Sequence, residues 1–162
     1  MALFFYLLVI ERDPYELPSA LINKKVPTFK TTSLLNDNIF ISDKEFGNNT
    51  ILVNFFATWC GPCRDEHKYM KKLSKEKGFK ILGINYKDNK DKTIKWLKEL
   101  GNPYYNVILD NNGSIGIDWG VYGIPETFIV NSKARIKYRL VGPINNKNYD
   151  SFFLKITESE NE

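Results

Sequence analysis

Ile51-Leu52-Val53-Asn54-Phe55-Phe56-Ala57-Thr58-Trp59-Cys60-Gly61-Pro62-Cys63 holds both cysteines of the chain, two residues apart, directly behind an apolar run with strand character. A continuous apolar stretch of that length reads as a strand buried on both faces, and so as a central strand of a sheet. A helix follows at once. Pro62 suits an early helical position, where its missing N–H costs nothing, and Tyr69, Met70 and Leu73 carry an apolar stripe until Gly78. The first sulfur therefore sits at a helix N-terminus, where unpaired backbone N–H groups and the macrodipole favour a thiolate. Lowering a thiol pKa from about 8.5 to about 7 raises the ionised fraction at neutral pH from roughly 3% to roughly half, and the thiolate is the form that attacks disulfides. Cys60 is the expected nucleophile, and Cys63, one turn into the helix, is expected to resolve the mixed disulfide.

Working outward, Phe79 to Tyr86 reads as a second strand, and Ile94, Leu97 and Leu100 lie at helical spacing within 91–100, closed by Gly101 and Pro103. Asn106 to Leu109 is the next strand. A turn at Asp110-Asn111-Asn112-Gly113 leads to a short helical stretch from Ile115 to Trp119, then to the strands Thr127 to Asn131 and Arg135 to Val141. Tyr149, Phe152, Phe153 and Ile156 predict a final helix from Asn148 to about Glu158 that covers one sheet face. Upstream, Pro27 to Ile41 predicts two short strands around Asn36-Asp37-Asn38. This order predicts an α/β fold, a three-layer α/β/α sandwich with a central mixed sheet and an N-terminal β-hairpin extension. The cysteines fall at a strand's C-terminal edge, where such folds place ligands. The expected organisation is an apolar segment at 1–12, a linker at 13–23, one domain at 24–158 and a tail at 159–162.

At 162 residues, with 43% hydrophobic and 26% charged residues, the chain suits one domain able to bury a core without staples, and a monomer is expected. Its net charge of +4 comes from 19 lysines and four arginines without a basic run that would track a phosphate backbone, so nucleic-acid binding is not expected. Two cysteines at this spacing close at most one small reversible ring, which speaks for catalysis over a disulfide framework. A closed zinc site needs four N or S ligands, and the chain offers Cys60, Cys63 and its single histidine, His67. Covalent haem attachment needs a histidine directly after the second cysteine, where Arg64 stands. No metal is expected, and no cofactor beyond the Cys60–Cys63 pair itself. The apolar run at 2–10 is shorter than the about 20 residues that span a bilayer, and it lacks the basic lead and small residues of a cleavable signal. It reads either as the tail end of an anchor or as an N-terminal strand or plug.

Trp59-Cys60-Gly61-Pro62-Cys63 between strand and helix, with Ile124-Pro125 ahead of a later hairpin, resembles the thioredoxin superfamily. Three further stretches are similar to the DsbE (CcmG) family of cytochrome c maturation thiol:disulfide interchange proteins: Gly83-Ile84-Asn85-Tyr86-Lys87-Asp88, Trp96-Leu97-Lys98-Glu99-Leu100-Gly101-Asn102-Pro103-Tyr104 and Gly120-Val121-Tyr122-Gly123-Ile124-Pro125-Glu126-Thr127-Phe128. Several motifs in order are far more specific than a lone Cys-x-x-Cys. The resemblance implies a thioredoxin-like fold from about Asp13 to the last helix. It also implies a membrane-anchored protein on the periplasmic side of the bacterial inner membrane. Such a protein keeps the Cys-x-x-Cys-His thiols of apocytochrome c, or of a cytochrome c maturation partner, reduced for haem attachment, with electrons from a DsbD-type membrane donor. Residues 2–10 then read as an anchor remnant. Family members often carry Pro-Thr between the cysteines, whereas Gly61-Pro62 is the thioredoxin-like pair.

Asn54 stands where thioredoxins carry a buried Asp, so the resemblance implies another proton acceptor for Cys63. The candidates are Glu66 and Glu126, with Glu126 preferred because it adjoins Pro125; the alternative for each is a solvated surface carboxylate. Pro125 matches the superfamily's cis-proline, the alternative being a trans turn proline. Trp59 is expected to pack beside Cys60 and, with Gly61 and Pro62, to shape the docking surface. Trp96 and Trp119 are expected in the core, and His67 as a partly exposed histidine without a ligand role. Two other functions compete: a general thioredoxin-like disulfide reductase, favoured by Gly61-Pro62, and a metal or haem chaperone that uses Cys60, Cys63 and His67 only to bind.

Overall fold

The computed structural model describes residues 19–36 and 38–161; the expected apolar segment at 1–12, most of the 13–23 linker, Asp37 of the expected turn and the last tail residue lie outside the described residues. Two short strands, β1 (Lys30–Thr32) and β2 (Phe40–Ser42), pair antiparallel as the N-terminal hairpin. The main sheet holds β3 (Ile51–Phe56), β4 (Lys80–Tyr86), β5 (Asn106–Asp110), β6 (Glu126–Val130) and β7 (Ile136–Val141) in the order β5-β4-β3-β6-β7. β3, β4 and β5 run parallel, whereas β6 and β7 are antiparallel to their neighbours. The helices are α1 (Gly61–Lys71), continued by a π-helical turn at Lys72–Glu76, then α2 (Lys90–Leu100), α3 (Ser114–Asp118) and α4 (Tyr149–Glu160).

β3 is central for the reason its composition dictates: every residue in it is buried, so both faces need cover. Leu52 and Phe56 point into a cluster with Met70, Leu73, Trp96, Leu97, Phe152 and Ile156, which places α1, α2 and α4 on one face. Ile51, Val53 and Phe55 pack with Ile41, Phe46 and Trp119 on the other, the face of α3 and the hairpin. That alternation of period two makes the three layers. Both cysteines belong to the α1-side cluster. Trp96 and Trp119 are core residues as expected, Trp119 lying 5.1 Å from Phe128 and 5.9 Å from Phe55 between ring centroids.

The hairpin has a structural task. Leu34 N–H donates to Val107 O at 2.7 Å and the Ser33 hydroxyl to Asn106 Oδ1 at 2.6 Å, so it covers the open edge at β5. The last helix runs to Glu160, past the expected boundary at 158, with Ser159 buried and its hydroxyl bonded back to Lys155 O at 2.7 Å. Its polar sequence hid that turn, because such back-bonding lets serine continue a helix that its propensity would end.

Candidate active site

β3 delivers the chain to the sheet's C-terminal edge, and a tight turn, closed by Cys60 N–H on Ala57 O at 3.3 Å, sets Cys60 as the N-cap of α1. The two cysteines are joined in a disulfide. Cys63 N–H donates to Cys60 Sγ at 3.1 Å, so the helix end already offers a backbone donor to the sulfur that must carry negative charge. Cys60 Sγ also lies 3.7 Å from the carbonyl oxygen of Ile124, whose peptide bond to Pro125 is cis, as the motif implied. Cys60 is 6% exposed and Cys63 1%, with Trp59 beside them 60% exposed. Of the two sulfurs, Cys60 is thus the one an incoming disulfide can reach, next to exposed Trp59 and the Pro125 loop, while Cys63 is shielded.

The loop carrying Trp59 is tied down by residues that no motif marked for a role. Asp88 accepts from Thr58 N–H at 2.6 Å and from the Thr58 hydroxyl at 3.0 Å, and Trp59 Nε1–H donates to Lys87 O at 3.1 Å. Burial works to raise the Asp88 carboxyl, but donors from Thr58, Asn89 and Asn85 outweigh it and hold its pKa below the ordinary value. The signal for it was present in Gly83-Ile84-Asn85-Tyr86-Lys87-Asp88, a stretch that carries the family resemblance.

Glu66 lies one turn after Cys63 on α1, so the two are neighbours on that helix. It is 1% exposed, far from the solvated alternative. Its Oε1 accepts from Asn54 Nδ2 at 2.9 Å and its Oε2 from Ile144 N–H at 3.0 Å. Desolvation by burial pushes its pKa up to about 8 against those two donors. Asn54 completes the network: Nδ2 also donates to Thr127 Oγ1 at 3.0 Å, and Oδ1 accepts from the Tyr104 hydroxyl at 2.9 Å.

Glu126 is buried too, but its partner differs. Arg139 grips it with a fork, Nε to Oε2 at 2.7 Å and Nη2 to Oε1 at 3.0 Å. In the β3–β6 ladder Glu126 faces Phe55, and Thr127 faces Asn54. Directly paired residues share a face, so Glu126 belongs with Phe55 on the α3 side and Asn54 with the cysteines on the α1 side. The expectation that Glu126 is the preferred proton acceptor is corrected accordingly: both its oxygens are engaged by a cation across the sheet from Cys63. Arg139 also donates to Gly120 O at 3.0 Å and lies 4.8 Å over the Tyr122 ring, so the pair fixes the segment leading into Pro125. One of only four arginines in a lysine-dominated chain was the available clue, since only arginine offers the planar fork a buried carboxylate needs. Arg139→Met is expected to cost about 3–5 kcal/mol in urea unfolding, because it strands Glu126 as an unpaired buried charge; a loss under about 1 kcal/mol would contradict that account.

His67 is buried, not partly exposed as expected. Its Nε2–H donates to Gly101 O at 2.7 Å and its ring meets Trp96 edge-on with centroids 4.4 Å apart. Burial lowers its pKa, so the ring is neutral. Here α1 leans on the C-terminus of α2, where Lys71 Nζ likewise donates to Leu100 O at 3.0 Å. His67 is thus a helix-end cap, and among the described residues no three His, Cys, Asp or Glu side chains group as metal ligands.

A family model described as Redoxin matches residues 21–152. The thiol:disulfide interchange protein DsbE of Vibrio cholerae serotype O1 is 42% identical over 146 residues, which cover 90% of this chain and 79% of that protein. DsbE of Escherichia coli strain K12 is 47% identical over 134 residues, 82% of this chain and 72% of that one. Among solved structures, a DsbF homologue from Corynebacterium diphtheriae superposes with a TM-score of 0.75 at 18% identity, covering 91% of this chain and 95% of the other. A secreted thiol-disulfide isomerase from Corynebacterium glutamicum does so at 0.69 and 22%, covering 82% and 83%. At such identities the structures speak to the fold alone.

Proposed function

This chain belongs to the redoxin family and is a thiol:disulfide oxidoreductase with a thioredoxin-like fold, related to the DsbE proteins, and from that premise we propose that it is a dedicated reductant in cytochrome c maturation. Its substrate in this reading is the Cys-x-x-Cys-His disulfide of an apocytochrome c, or a maturation partner that carries those thiols. It works on the periplasmic side of the bacterial inner membrane, residues 2–10 belong to an anchor, and a DsbD-type membrane donor restores its dithiol. The relatives' DsbE character and the motifs at 83–88, 96–104 and 120–128 support this reading.

One observation carries the chemistry: a shielded second cysteine with a buried carboxyl one turn behind it. In the dithiol form the Cys60 thiolate attacks one sulfur of the partner disulfide. That S–S bond breaks, the other partner sulfur leaves as a thiolate and takes a proton, and a mixed disulfide to Cys60 forms. Cys63 then gives its proton to the Glu66 carboxylate, its sulfur attacks Cys60 Sγ, and the mixed disulfide breaks to release the second partner thiol. Two electrons pass to the partner, and the Cys60–Cys63 disulfide seen here remains. With a pKa of about 8, roughly a tenth of Glu66 is ionised at pH 7 and able to accept that proton.

The test pairs the equilibrium potential of the Cys60/Cys63 couple against glutathione with reduction of an apocytochrome c Cys-x-x-Cys-His disulfide peptide. A reducing couple that turns over this peptide well and insulin poorly is the expected result. Equal activity on both would favour the general reductase to which Gly61-Pro62 points, and an oxidising couple would reverse the proposed direction.

A further inference from the structure

Asn54 is wholly buried, and every polar atom of its amide is used. Its two N–H bonds point to Glu66 Oε1 and Thr127 Oγ1, and its oxygen takes the Tyr104 hydroxyl. Glu66 and Thr127 do not decide which way the amide faces. A protonated carboxyl or a hydroxyl can donate to an amide oxygen as readily as it accepts from an amide nitrogen, so both are satisfied by either orientation. Tyr104 does decide it. Its buried phenol stays protonated, since burial and the nearby Glu66 raise its pKa well above the ordinary value, and its proton goes to Asn54 Oδ1 at 2.9 Å. Turning the amide over would leave that proton without an acceptor.

We propose that Tyr104 is a positioning residue of the reaction: its hydroxyl holds the Asn54 amide with nitrogen toward Glu66, and so sets how readily Glu66 accepts the proton of Cys63. The catalytic half of this rests on the reading of Glu66 as the proton acceptor. As arranged, Glu66 receives only donors, Asn54 Nδ2 and Ile144 N–H, which favour the carboxylate and oppose its desolvation. With the amide reversed, an oxygen would face Glu66, favour the protonated acid and deprive Cys63 of its acceptor.

The phenol is itself held firmly. Its ring stacks on Phe56 with centroids 4.8 Å apart, and its backbone N–H donates to Asn102 Oδ1 at 2.9 Å. The ring passes over Gly83, where an added Cβ would lie 3.0 Å from both Tyr104 and Phe56, so the absence of a side chain in β4 is what admits it. The segment between α2 and β5 thereby reaches under the active site and touches it through one hydroxyl.

The experiment follows the Glu66 carboxyl directly by carbon-detected NMR titration of the full chain in wild type, Tyr104→Phe and Ser159→Ala. In parallel, the reduced proteins react with glutathione disulfide, and release of the second glutathione from Cys60 is timed by Trp59 fluorescence across pH. In Tyr104→Phe the Glu66 titration is expected to move up by about one pH unit or more, with the inflection of the release profile moving equally and release at pH 7 slowing about tenfold. Ser159→Ala, which removes a hydroxyl bonded to Lys155 O near the end of α4, is expected to leave both in place. A Tyr104→Phe protein with an unmoved Glu66 titration overturns the proposal and leaves Glu66 as acceptor. A moved titration with an unmoved release profile upholds the positioning by Tyr104 and removes Glu66 from the proton transfer. Should Tyr104→Phe not fold, the wild type answers alone. Nuclear Overhauser contacts from the Asn54 Nδ2 protons to the Glu66 side chain support the proposal, and contacts to the Tyr104 ring in their place overturn it.

Discussion

Cys60→Ser is expected to abolish turnover, whereas Cys63→Ser is expected to yield a protein that attacks disulfides and stays joined to them. The asymmetry follows from exposure and from the helix end. Cys60 is the N-cap of α1, keeps 6% exposure against 1% for Cys63, and has a backbone N–H already on its sulfur, so its thiolate is the more reachable of the two and is stabilised. Cys63 is shielded, so an external disulfide has no path to it in the folded protein. Its task begins only after the mixed disulfide has formed, and without it that adduct resolves only by slow attack from an external thiol. The expected loss on an apocytochrome c disulfide peptide is complete for Cys60→Ser and at least about a hundredfold for Cys63→Ser. Non-reducing mass spectrometry should show a peptide adduct on Cys60 in the second variant alone. Normal turnover by Cys63→Ser with no adduct would mean that the roles are reversed or shared.

Glu66→Gln is expected to make the protein more stable at alkaline pH while slowing its chemistry. Glu66 has a folded pKa of about 8 against an ordinary 4.5, so between those values the folded state holds a proton that the unfolded state has lost. Stability from this group is therefore fully present below about pH 4.5 and falls as pH rises, until it is lost above about pH 8. A separation of that size corresponds to on the order of 5 kcal/mol across the window. Glutamine keeps the shape and stays neutral, so the variant and wild type should match near pH 5 and diverge by several kcal/mol at pH 8 in urea unfolding. Release from the Cys60 mixed disulfide should slow by about tenfold to a hundredfold at pH 7, toward the low end of what a positioned base supplies. Parallel stability curves for the two proteins from pH 5 to 8 would show that Glu66 is already ionised in the fold at pH 5, and would overturn the raised proton affinity on which this prediction rests.

Much of the architecture was legible because it rests on local rules. The run at 51–56 had to be central, Pro62 had to lie in a first helical turn, and Gly101 with a φ of 84° marks the end of α2 where the spacing placed it. The site was legible in its cysteines, its tryptophan and its cis-proline, each carried by a motif of contiguous residues, and in Glu66 as one of two candidate carboxyls. Asp88, Tyr104 and Arg139 were missed for a common reason: each acts on a partner 13 to 50 positions away, through hydrogen bonds that no spacing rule encodes.

The two glutamates show the division most clearly. As letters, Glu66 and Glu126 are equivalent, and adjacency to Pro125 favoured Glu126 as the base. Local sequence was enough to dictate that Cys60 begins a helix behind a buried strand, and hence that a thiolate forms there and Cys63 follows it one turn later. Those are consequences of backbone geometry within a few residues, where the chain has little choice. Which carboxyl can serve Cys63 depends instead on how distant elements pack. The β3–β6 register sends Glu126 to Arg139 on the far face, and α1 packing over Asn54 takes Glu66 out of water without a countercharge. A proton affinity is set by what surrounds a group in three dimensions, and for these two residues the surroundings come from elements far apart in the chain.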